Sequence, residues 1–268
     1  MLQPGRSRQL ATICSGQAIG GIEELVAIMP DTNLQQIGDP RQARPRWEPA
    51  FNLPGFVLGF GALLIVIHAV RTLLLTPLQD AWAIILFGFI PARYGLNAAD
   101  FPVQSAQMWT PLSYSLLHAD WTHLLVNLLW LAAFASPLVR RIGTARAMLL
   151  AAIASLGGAG LHFMFFANDD LPVIGASAIV SGCMGAAARF AFQPGKRGGL
   201  NIDGPARTLV QSFADKRFLG FLAVWLGLNF LFGSGIVPLA GEERMIAWQA
   251  HAGGFLAGIF AFSLLDRR

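Results

Sequence analysis

The chain has 268 residues and a formal net charge of +4; 54% of its residues are apolar and 13% charged, about half the charged share of an ordinary globular protein. So little charge excludes a soluble domain. The basic balance does not indicate nucleic acid, because the arginines and lysines fall between long apolar runs, where they set topology. The two cysteines, Cys14 and Cys183, offer neither a disulfide framework nor a metal-ligand cluster, and no cofactor is implied.

Residues 1–50 contain Gly, Pro, Gln and scattered Arg, with no apolar core ahead of a small-residue cleavage site. They lack a signal-peptide pattern and read as a flexible cytosolic tail. Six apolar runs follow, at 53–75, 119–139, 147–167, 172–192, 218–239 and 246–265, each near the roughly 20 residues that a helical span needs. The pattern predicts an all-α polytopic membrane protein, a six-helix bundle forming one membrane-embedded domain over residues 51–268. A shorter run at 81–90 cannot cross and is expected to lie buried or at the interface. It belongs to a long segment between the first two spans, 76–117, which carries Trp82, Phe87, Phe89, Tyr94, Phe101, Trp109 and Tyr114. Such aromatics suit a structure resting at the membrane surface. The loop at 194–216, rich in Gly and Lys/Arg, is expected to be exposed. No internal repeat stands out, which weighs against transporter folds built from inverted halves.

Six spans put both termini on one side. That side collects Arg6, Arg8, Arg41, Arg44, Arg46, Arg140, Arg141, Arg146, Lys196, Arg197, Arg207, Lys216, Arg217, Arg267 and Arg268, whereas the other has only Arg71, Arg93 and Arg244. The bias places both termini in the cytoplasm. With no targeting segment apparent, the expected location is a bacterial plasma membrane.

With that orientation, the even-numbered spans begin at the outer face. His118 and His123 open the second, Ser177 the fourth and His251 the sixth. Polar and ionisable groups inside spans are costly, so each is a functional candidate. Ser177 can supply a nucleophile and His251 its general base. Gly175 permits unusual backbone angles beside the serine, and a helix N-terminus leaves unpaired N–H groups as oxyanion donors. Gly254 and Gly258 share a helix face with His251, and Ser177, Ser181 and Gly185 recur at spacings of four. These small residues are expected to bring the fourth and sixth helices close together. No carboxylate lies at this depth in either span, so a dyad is expected rather than a triad. His123 and Asn127, four residues apart, share one face and can donate to a developing oxyanion.

Three motifs, His-x4-His-x3-Asn at 118–127, Gly-x-Ser at 175–177 and Ala-His-x-Gly-Gly at 250–254, occur in order on the second, fourth and sixth spans. In this the chain resembles the rhomboid family of intramembrane serine proteases, from about Phe51 onward. The resemblance implies Ser177 as nucleophile, His251 as base, His123 and Asn127 in the oxyanion hole with the Ser177 backbone, and His118 as mainly structural. It further implies transmembrane proteins as substrates and the lipid bilayer as surroundings. The chain departs from the family pattern at Ala178, where a glycine usually follows the serine, and at Ser181, where a tyrosine often packs on the base. Thr110 stands where an arginine usually follows Trp109, and Val139 where a glutamate is frequent. Ala178 and Ser181 bear on rate and substrate preference, Thr110 and Val139 on loop anchoring.

Singly, each residue has a plainer reading. A lone membrane serine usually bonds its own backbone, a lone His251 can be an interhelical contact, and His123 with Asn127 can be packing polarity. His68 and His162, outside any motif, read as structural, and Arg189 as a snorkelling or interfacial anchor. The conjunction of motifs favours hydrolysis of peptide bonds in or next to transmembrane segments. An inactive relative that binds membrane clients is the alternative. A small transporter is disfavoured, because the polar residues gather near one face.

Overall fold

The structure, a computed structural model, describes residues 52–95, 101–193, 202–233 and 247–267. The tail expected at 1–50, the start of the loop at 194–201 and residues 234–246 lie outside them. The described residues after Asn52 belong to a single unit, Leu53–Arg268. They are all-α apart from one antiparallel bridge between Phe89 and Val173.

Seven helices carry the architecture: α1 (Gly55–Leu73), α2 (Pro77–Phe87), α3 (Trp121–Ile142), α4 (Thr144–Phe166), α5 (Ser177–Ala191), α6 (Lys216–Gly233) and α7 (Trp248–Leu265). Four of them, α1, α3, α4 and α7, are long and apolar enough to cross a membrane. The molecule is a multi-pass membrane protein. The fourth apolar run, expected to be helical from 172, becomes helix only at Ser177 and has 15 helical residues. The residues ahead of it are taken up by the bridge at Val173 and a turn at Gly175.

α5 is the innermost element, with residues 178–190 all buried. α7 and α4 pack closely on it and on each other, while α6 meets the bundle chiefly through α7. The α5–α7 seam is a backbone contact. A Cβ at Gly254 would overlap the Ala178 backbone, and one at Gly258 would overlap that of Gly182. The contacting stripe is therefore Ala178, Gly182 and Gly185, one residue on from the expected Ser177 and Ser181 at its first two positions. Ala178, where the family pattern has glycine, is accommodated by a second glycine: a Cβ at Gly158 of α4 would come within 2.6 Å of the Ala178 methyl.

The segment between α1 and α3 is anchored through carbonyls. α2 starts at a capping box, Thr76 with Gln79, which satisfies two otherwise unpaired donors. None of its residues is buried, as suits an element at an interface. Arg93 donates Nη2–H to Ile85 O at 2.6 Å, Trp109 its indole N–H to Leu86 O at 2.8 Å, and Ser113 its hydroxyl to Phe87 O at 2.8 Å. Tyr94 donates to Gln107 O at 2.8 Å and lies 2.6 Å from Thr110 Oγ1. Burial, the largest influence on it, raises the Tyr94 phenol above its ordinary pKa. Thr110 thus anchors the loop where an arginine was the family expectation, and Val139 is buried among apolar side chains.

At the far end of the bundle Arg189 differs from expectation. Instead of snorkelling outward it is buried, with its guanidinium on the carbonyls of Arg207 and Ile259 and on the Ser263 hydroxyl. The described part of the loop after 201 is largely exposed, as expected, and is locally ordered: Thr208 caps a short helix, Leu209–Phe213, and Arg207 pairs with Asp215.

Candidate active site

Ser177 is the first residue of α5, and Gly175, with φ of +127°, turns the chain into it. A side chain at that angle is strained; glycine is not. Two contacts hold the turn. Gly175 N–H donates to Tyr114 O at 3.0 Å, and Ala176 N–H to His118 Nε2 at 3.4 Å. His118 is fully buried, and its own carbonyl accepts from Arg71 Nη1 at 2.9 Å. Arg71 also grips Asp80 of α2 at 2.7 Å. His118 thereby supports the loop that presents Ser177.

No side chain caps α5, and its first helical bond runs from Val180 N–H to Ala176 O at 3.0 Å. The N–H groups of Ser177, Ala178 and Ile179 have no intrahelical carbonyl to reach. They point out of the positive end of the helix dipole, where a developing anion is favoured.

α3 begins beside this turn. Asp120 caps it, accepting from His123 N–H at 2.8 Å. His123 Nδ1 accepts from Ala119 N–H at 3.4 Å, so the ring proton rests on Nε2. That nitrogen faces Gly175: a methyl group on the glycine would sit 2.8 Å from His123 Nε2 and 3.7 Å from Ser177 Oγ. The missing side chain is what lets the imidazole and the hydroxyl share one space. One turn along, Asn127 is buried and donates Nδ2–H to His123 O at 2.9 Å, which uses one of its two amide hydrogens.

His251 lies in the first turn of α7, level with Ser177 because the two helices touch at Ala178 and Gly254. Its Nδ1 is 2.6 Å from Asn229 Oδ1 on α6. Among the described residues no hydrogen bond joins Ser177 Oγ to His251. Such contacts are commonly loose before substrate binds.

Asn229 was missed from the sequence. It is a single amide near the middle of the 218–239 run, and no motif surrounds it. The available signal was the general one, a polar side chain inside an apolar span. His68 and His162, expected to be structural, are buried and pack on aromatic rings: Trp121 at 4.7 Å and Phe166 at 5.2 Å between centroids. Ser181 is buried in the α5 core.

The family model of the Rhomboid domain matches residues 105–268, well over half of the chain and including all of α3 to α7. No curated protein matches the sequence.

Proposed function

The chain belongs to the rhomboid family, and on that premise we propose that it is an intramembrane serine endopeptidase. In this reading Ser177 is the nucleophile and His251 the general base. Its protease domain spans residues 51–268 behind a cytosolic tail at 1–50, with both termini in the cytoplasm of a bacterial cell. Its substrates are transmembrane proteins cut in or beside their membrane segments. The observation that carries the proposal is that Ser177 Oγ and His123 Nε2 border the same space, the one a Gly175 side chain would fill, at an uncapped helix N-terminus.

A substrate helix approaches from the lipid and unwinds near the outer face, because an intact helix shields its carbonyls. Ser177 Oγ attacks the carbonyl carbon as His251 Nε2 takes the hydroxyl proton. The oxyanion receives hydrogen bonds from His123 Nε2–H, the Ser177 N–H and the Asn127 amide. The tetrahedral intermediate collapses, the C–N bond breaks, and His251 returns its proton to the leaving amine. Water then attacks the acyl-enzyme by the same route and frees Ser177.

Fluorophosphonate labelling in detergent and in liposomes tests the reading, alongside cleavage of a transmembrane reporter. Wild type is expected to label and cut; Ser177→Ala and His251→Ala, folded by thermal melting, are expected to do neither. Cleavage that survived Ser177→Ala, or a wild type silent in both media, would favour the client-binding alternative.

A further inference from the structure

His251 is hydrogen-bonded to a residue on a helix that carries none of the three motifs. Asn229 lies on α6, and its amide is held in one orientation: Nδ2–H donates to Trp225 O at 2.7 Å, which leaves Oδ1 directed at His251 Nδ1, 2.6 Å away. An amide oxygen only accepts, so the shared hydrogen belongs to the imidazole. The backbone is steadied close by, where Trp225 stacks on Phe255 of α7 with centroids 4.5 Å apart. That stack lies one turn below the Asn229–His251 bond on both helices.

We propose that Asn229 is a positioning residue for the base, an inference that rests on reading Ser177 and His251 as nucleophile and base. By accepting Nδ1–H it fixes the tautomer whose Nε2 has a free lone pair, and it fixes the ring plane so that this lone pair points away from α6. When Nε2 takes the Ser177 proton, the imidazolium keeps its Nδ1–H bond to the same oxygen. The amide supplies orientation without a negative charge. This is the role the third member plays in nucleophile–base–orienter arrangements, here from the fifth apolar run instead of a carboxylate.

The test compares wild type, Asn229→Ala and Asn229→Asp in full-length protein. The readouts are fluorophosphonate labelling rate against pH, thermal melting, and ¹⁵N NMR of the histidine rings, with His251 assigned by its own substitution. Asn229→Ala is expected to slow labelling roughly 10- to 100-fold, the effect of removing one hydrogen bond from a group that becomes charged. The His251 ring signature is expected to change from a single Nδ1–H tautomer to a mixture. Asn229→Asp keeps the acceptor and is expected to recover most of the rate. Its added negative charge favours the imidazolium, so the acid limb of the profile moves to higher pH. Among the described residues, the charged group that acts on His251 is His123, and it is unchanged in all three proteins. A merely structural role predicts a lower melting temperature with the pH profile and ring signature intact. That result, or wild-type labelling by Asn229→Ala, overturns the proposal. A wild type that does not label removes the nucleophile–base reading itself, and the inference falls with it.

Discussion

Gly175 makes the sharpest demand of any single residue near the site. Its φ of +127° and the 2.8 Å that would separate an added methyl from His123 Nε2 act together. Gly175→Ala is expected to cost about 1–3 kcal/mol in backbone strain and to displace His123. Melting temperature and phosphonate labelling should both fall. Ser177, His251 and His123 were legible as candidates in the sequence because a polar group among apolar neighbours stands out, and Gly175 because it adjoins the serine. Asn229 was not, because a single amide in an apolar run names no partner: its bond to His251 joins residues 22 positions apart on different helices.

Among the elements, the α5–α7 seam decides whether Ser177 and His251 stand side by side. Gly258→Ala would drive a methyl into the Gly182 backbone on the opposite helix. No flexible side chain is there to give way, so the helices must part, at a cost of about 1–3 kcal/mol. Gly160→Ala on α4 is the control, since a Cβ there meets nothing within 4 Å; its melting temperature should hold or rise slightly. Loss of stability at Gly160 equal to that at Gly258 would count against the seam argument. The small-residue pattern announced close packing but put its first two contacts one residue early, on Ser177 and Ser181. Spacing gives the face of a helix only to within about 100° per residue. The partner's carbonyls, invisible in sequence, choose which small residue sits on the line of contact.

Taken as a whole, the molecule is fastened at both ends. Opposite the site, Arg141 of α3 pairs with Asp266 just beyond α7 at 2.8 Å, donates to Ile202 O at 2.9 Å, and lies over the Phe190 ring at 4.9 Å. Both charged side chains are almost fully enclosed. Asp266→Ala removes a carboxylate from this buried pair and is expected to cost about 3–5 kcal/mol, read as a lower melting temperature in detergent. In sequence, Arg141 counted only toward topology; its partner is 125 positions away, beyond any local pattern.

The brevity of α5 governs how the protein meets membranes of different thickness. Its 15 helical residues span about 22 Å at 1.5 Å each, against about 30 Å of hydrocarbon. A lipid-facing helix that short would thin the bilayer or tilt its neighbours. α5 is enclosed by other helices, so acyl chains do not feel the shortfall. They meet the longer α1, α3 and α4, whose outward faces carry exposed Leu and Phe. The depth of Ser177 is therefore set by protein against protein. In liposomes of graded acyl-chain length, labelling by a small water-soluble phosphonate should hold nearly constant, even where the outer helices tilt to follow the lipid. A rate that tracked chain length would instead mean that the bilayer, and not the bundle, fixes the level of the serine.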